Sequence, residues 1–134
     1  MIKHIVMWKV RGDDAASRAR NLELVRREFE SLRGRIPGLL HLEIGIDESR
    51  IDYACDVVLY SEFASREALA DYAEHPEHLR VKRALGNLRS ARHQVDYPVP
   101  DRPGAPGAPG APGVSSAATE LSTSFPLPST APMP

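Results

Sequence analysis

The sequence has 134 residues, 17 Lys and Arg against 18 Asp and Glu, a formal net charge of −1 and one cysteine. Such a length holds one domain, the balanced charge offers no basic face for nucleic acid, and the lone Cys55 excludes an internal disulfide and suits a reducing, cytoplasmic compartment. No apolar run approaches the roughly 18 residues that a bilayer span requires, and the alternating start MIKHIVMWKV does not read as a signal peptide, so no membrane association is expected.

IKHIVMWKV, residues 2–10, is rich in β-branched residues and reads as a strand. Ile2, His4, Val6, Trp8 and Val10 point one way, and Lys3, Ile5, Met7 and Lys9 the other, so both faces carry apolar side chains. DDAASRARNLELVRREFESLRGRIPG then reads as a helix. Asp13 or Asp14 supplies an N-terminal cap, and Leu22, Val25, Phe29 and Leu32 recur at spacings of three and four. Gly34 and the Pro37-Gly38 turn end it. LLHLEIGI (39–46) alternates as a second strand, with Leu40, Leu42, Ile44 and Ile46 on one face and His41 and Glu43 on the other.

ACDVVLYSEF (54–63) reads as a third strand. Ser65 caps a following helix whose inner stripe is Ala68, Leu69 and Tyr72. His75-Pro76 interrupts that helix, because proline disfavours helical geometry in the residue before it yet suits the first position of a new helix. The second segment, PEHLRVKRALGNL, therefore restarts at an angle and runs to Gly86. RSARHQVDYPV (89–99) closes as a fourth strand. The order β-α-β-β-α-β predicts an α+β, ferredoxin-like fold: a four-stranded antiparallel sheet with helices on one face. Ile5, Met7, Val58 and Tyr60 remain on the other face, and an apolar sheet face of this kind invites a second copy. A homodimer through the sheet face, closing a dimeric α+β barrel, is expected.

All but two of the 12 prolines fall at or after Pro98. The domain is accordingly expected over residues 1–99. Residues 100–134, with the repeat GAPGAPGAPG, are expected to be a disordered Pro/Gly/Ala-rich tail, since they lack the apolar content to fold alone.

The segments IKHIVMWKV, IPGLLHLEIG, DVVLYSEF, ALADYAEHPEH and VDYPV, in that order, resemble the stress-responsive A/B barrel (Dabb) domain over residues 1–99. The resemblance implies the same dimeric ferredoxin-like barrel. Some members of that family are stress-induced plant proteins. Others resemble polyketide cyclases of the olivetolic acid cyclase type, which close a poly-β-keto chain by aldol condensation. In those enzymes a tyrosine and a histidine of the DY..HP.H segment and a histidine on the first strand carry the chemistry, which points here to Tyr72, His78 and His4. A further pocket histidine on the third strand falls on Val57, a departure from the cyclase pattern.

An aldol cyclisation needs a base between two carbonyls and a donor for the enolate oxygen. His78 is the expected base, Tyr72 the oxygen holder or the group orienting that base, and His4 the support. Val6, Trp8, Val57, Leu69 and Leu79 are the expected apolar lining of a pocket for a small hydrophobic molecule. The same residues have plainer readings: Tyr72 as a buried stripe residue, His78 as a first-turn group at a helix bend, His4 as a core histidine. His75 and His78 form H-x-x-H, but His75 is better placed to cap the new helix, so no metal and no cofactor is expected. A non-enzymatic, stress-linked or ligand-binding barrel and a cofactor-free monooxygenase-like or haem-handling barrel are the competing functions.

Overall fold

The computed structural model describes residues 1–101. The expected disordered tail lies, from residue 102 onward, outside the described residues. Seven elements follow one another: β1 (Ile2–Val10), α1 (Ala15–Glu30), β2 (Leu39–Ile46), β3 (Val57–Phe63), α2 (Arg66–Glu74), α3 (Pro76–Leu85) and β4 (Arg89–Pro98). The four strands form one antiparallel sheet in the order β2-β3-β1-β4. This is the ferredoxin-like βαββαβ arrangement, with the second helix of that pattern divided in two.

The alternation in β1 sets the layers. Ile2, His4, Val6, Trp8 and Val10 are all buried on the helix side, while Met7 and Lys9 are exposed on the other. Across the sheet Val6 stands opposite Leu59 and Trp8 opposite Val57, so Val57, Leu59, Ser61 and Phe63 of β3 complete the inner face. From above, α1 contributes Leu22, Val25 and Phe29, and α3 contributes Val81 and Leu85. Phe29 stacks on Trp8 with centroids 5.1 Å apart and planes 20° from parallel.

Local chemistry explains the boundaries. Asp14 caps α1, its Oδ1 accepting from the Ser17 amide at 2.7 Å. That helix ends at Glu30, earlier than the sequence pattern suggested. Beyond it the amides of Leu32, Arg33 and Arg35 bond three residues back, tightening the chain while Leu32 stays fully buried. Arg33 then ties this turn to β2 through Nε and Nη2, 3.0 and 2.8 Å from the Leu42 carbonyl. In β2 the pairing with β3 shifts between Leu39 and His41. Leu40 is the extra residue and is 48% exposed, so Leu39, and not Leu40, packs against the core. The third strand starts at Val57, later than expected, because the Asp56 carboxylate turns back to accept from the Val10 amide at 2.7 Å.

Ser65 caps α2, accepting from the Ala68 amide at 3.1 Å. His75 has φ −64° and ψ 137°, an extended residue between two helices, and its Nδ1 accepts from the Glu77 amide at 3.0 Å. After that break α3 packs on α1 and α2, and the sheet contacts of the helix layer come from α1 on β2 and β1 and from α2 on β3. The inner side of β4 is thereby left open.

Gly38 sits at the joint between α1 and the sheet with φ 80°, and a Cβ there would lie 2.5 Å from the Ala68 Cβ. Gly34 has φ 77° with nothing within 4 Å. We expect Gly34→Ala to cost about 1 kcal/mol for its left-handed backbone, and Gly38→Ala about 2 kcal/mol more for the collision with α2. Urea unfolding of the two variants measures the difference, and equal losses would refute the contact with Ala68.

Candidate active site

The open inner side of β4 forms one wall of a groove of about 390 Å³. His4 and Ile2 of β1 and Asp96, Gln94 and Arg92 of β4 make the floor; Leu69, Tyr72 and Ala73 of α2 and His78 of α3 make the roof. The floor follows from register, since β1 and β4 place His4 opposite Asp96, Val6 opposite Gln94 and Trp8 opposite Arg92. The roof follows from the helix break, which sets His78 in the first turn of α3 beside Tyr72 in the last turns of α2.

His4 is buried, and its Nδ1 lies 2.6 Å from Asp96 Oδ1. A carboxylate accepts, so Nδ1–H donates and Nε2 is left for another partner. His78 is half-buried, with Nδ1 3.1 Å from the Ala73 carbonyl oxygen. A carbonyl also accepts only, so here too Nδ1 carries the proton and Nε2 holds the lone pair. Burial pushes the His78 imidazole below its ordinary pKa of 6.5, and Lys82, Arg89 and His4 add to the shift against the bond to Ala73. His78 is therefore a neutral imidazole with a free Nε2 at pH 7.

Tyr72 is 3% exposed. Its ring meets that of His78 at 4.3 Å between centroids and 45° between planes, that of Phe63 at 5.0 Å and that of His4 at 6.2 Å. Its hydroxyl is buried and has no hydrogen-bond partner among the described residues. Burial pushes the phenol well above its ordinary pKa, so it is a hydrogen-bond donor and not a base. Tyr72 does not orient His78 through its hydroxyl: the two meet ring to ring, and the backbone carbonyl of Ala73 holds the imidazole instead.

Of the expected lining, Leu69 borders the groove, while Val6 and Trp8 border a recess of about 50 Å³ that shares His4, Tyr72, His78 and Arg92 with it. Val57 and Leu79 are not brought to either space. Val57 packs at the start of β3 and borders a depression with Met7, Cys55 and His93. Leu79 is 37% exposed, because starting α3 at Pro76 places Val81 and Leu85 on its buried side. Outside the groove, His41 Nε2 lies 2.8 Å from Glu43 Oε1. Among the described residues no group of three or more His, Cys, Asp or Glu side chains is placed to hold a metal ion.

The Stress responsive A/B Barrel Domain family model matches residues 2–99. The chain belongs to this family. A stress-response A/B barrel domain-containing protein of Arabidopsis thaliana is 30% identical over 110 residues, covering 78% of this chain and 50% of that protein, so the chain spans about half the length of the curated relative it matches. A dimeric protein of ferredoxin-like fold from Bacteroides fragilis is similar at 29% identity, with a TM-score of 0.65 over 72% of this chain and 93% of that one. The hydroxynitrile lyase of Passiflora edulis shares the fold at 13% identity, with a TM-score of 0.60 over 72% of this chain and 90% of that one. No helix among the described residues of this A/B barrel is long and apolar enough to cross a membrane.

Asp96 escaped the reading of the sequence. Alternation within VDYPV puts it on one face of a strand, but only the pairing of β4 with β1 brings it to His4. Arg89 escaped for a similar reason, being separated from Trp8 by 80 positions and joined to it by the turn into β4.

Removing the orphan hydroxyl by Tyr72→Phe is expected to leave the fold as stable as before or to stabilise it by about 1 kcal/mol, whereas Asp96→Ala, which strips the His4 ring of its acceptor, should destabilise by about 1–3 kcal/mol. Thermal denaturation of both variants is the check. A large destabilisation by Tyr72→Phe would show that the hydroxyl is bonded in the folded protein.

Proposed function

We propose that this A/B barrel performs cofactor-free acid–base chemistry on a small β-keto or phenolic compound bound in the groove. The observation that carries the reading is a groove lined together by Tyr72, His78 and His4, with the Tyr72 hydroxyl buried and without a partner among the described residues. A buried donor without an acceptor is costly to stability and is rare unless a ligand supplies the acceptor. In this reading Nε2 of His78 removes a proton from the carbon between two carbonyls. The Tyr72 hydroxyl donates to the enolate oxygen as charge develops there. His4, held by Asp96, offers a second Nε2 for relaying the proton to the aldolate or leaving oxygen. The balance is that of an aldol closure or its reverse: one C–H is broken, one C–C bond is made, and the proton returns to oxygen.

A barrel that binds a ligand without converting it is the second reading. The bond from His78 to the Ala73 carbonyl favours it, since that bond also satisfies an acceptor freed at the end of α2 and would serve a purely structural bend.

The proposed assembly is a homodimer through the other sheet face. Met7 and Val95 are exposed there at adjacent strands, and the described Bacteroides relative is dimeric.

With poly-β-keto and phenolic substrates, we expect His78→Ala to lose about 10²–10⁴-fold in kcat/KM at unchanged circular dichroism. Full activity in that variant would refute the catalytic role. Because the His78 pKa is lowered, the active neutral form persists through neutrality, and the acid limb of kcat/KM should fall below pH 6.5. A limb centred above pH 7 would exclude His78 as the base. Val95→Asp should convert the dimer to monomer in sedimentation velocity, and an unchanged sedimentation coefficient would rule out the sheet face as the interface.

A further inference from the structure

The groove has a charged end. Lys82, Arg89 and Arg92 border the recess of about 50 Å³ together with Tyr72 and His78. Among the described residues the one carboxylate lining the groove, Asp96, is bonded to His4 and lies toward the other end of the strand pair. Arg92 bonds to the neutral Gln94 side chain. None of the three cations forms an ion pair among the described residues.

Arg89 is the least expected of them. Its guanidinium carbon lies 5.0 Å above the Trp8 ring and 5.7 Å from the Phe29 ring, partly buried against the core. A guanidinium carries five N–H donors, and this one donates to no other described residue. The aromatic pair holds it in place by cation–π contact, and its N–H donors remain for an acceptor. Withdrawal from water lowers its pKa, and Arg92 adds to the shift by repulsion. A half-buried cation facing like charges is costly unless an anion joins it. The recess, of about 50 Å³, has room for a group of a few heavy atoms such as a carboxylate.

We propose that the groove takes a small carboxylic acid, with the carboxylate seated in the recess against Arg89, Lys82 and Arg92 and the reacting carbonyl or phenolic oxygen lying in the wider groove at Tyr72. A β-keto acid or a hydroxybenzoate has the required spacing of charge and oxygen. The inference deepens the acid–base reading by naming its substrate class, and it rests on that reading only for the groove being a ligand site.

The test is equilibrium binding to the full chain, followed by calorimetry and by the emission of Trp8, the one tryptophan of the sequence. The probes are 4-hydroxybenzoate and its methyl ester, which lacks the charge and carries one added methyl group; the charge-removing variants separate charge from size. The acid should bind about tenfold or more tightly than the ester, the size of effect a charge-assisted hydrogen bond supplies. Arg89→Met, which keeps the stacked stem and removes the charge, should abolish that preference and raise the melting temperature. Lys82→Met, at an exposed position, should reduce the preference without any demand on folding. Equal or tighter binding of the ester, no saturable binding of the acid, or a preference that survives both variants would overturn the proposal. Binding separates it from catalysis. A His78→Ala chain that still prefers the acid supports it whatever the turnover, and a wild-type chain that converts a neutral substrate while showing no preference refutes this inference alone.

Discussion

The break at His75-Pro76 governs the architecture around the groove. Pro76 keeps His75 out of helical geometry, and the one extended residue redirects the chain. An unbroken helix from Arg66 to Leu85 would run about 30 Å straight along the sheet. Divided, it becomes α2, which lies on β3, and α3, which packs on α1 and α2. The helix layer therefore stops short of β4. The same break sets the Tyr72 and His78 rings in tilted contact across the joint, and it exposes the Ala73 carbonyl that fixes the imidazole. Groove, roof and tautomer all depend on one proline.

Around that joint the structure departs from the economy of its core. The inner face of the sheet is closed by aliphatic side chains and the Trp8–Phe29 stack, with little left unsatisfied. In the groove a phenol hydroxyl is buried without an acceptor, and a guanidinium is half-buried without a counterion, among the described residues. Each costs stability, and together they lie within one connected space. Two imidazoles facing that space both have Nδ1 engaged by an oxygen and Nε2 left for other work. Residues that break local rules in concert, on elements held rigid by their own packing, are the pattern that a binding or catalytic site produces.

The two sides of the sheet have different duties. Helices cover one side and the groove opens at its edge. The other carries Met7 and Val95 beside the Tyr60 ring, whose hydroxyl donates to Glu62 at 2.6 Å. Polar and apolar groups are mixed there, as on a surface and not in a core.

The resemblance to the A/B barrel family pointed to His4, Tyr72 and His78, while strand alternation, a cap at Asp13 or Asp14, the Ser65 cap and the proline break were enough to determine the element order and the ferredoxin-like class. These are local signals, carried by neighbours within a few residues. Tertiary structure decided the rest. The bulge at Leu40 and the phase of α3 depend on how whole elements dock, so Leu40 and Leu79 face outward although their local patterns did not require it. The His4–Asp96 pair and the Arg89 guanidinium over Trp8 join residues some 80 to 90 positions apart, and no periodicity encodes such contacts. The Tyr72 hydroxyl, left without an acceptor among the described residues, follows from the packing of three separate elements. Local pattern sets which way a side chain points; strand register and helix docking set what it meets there.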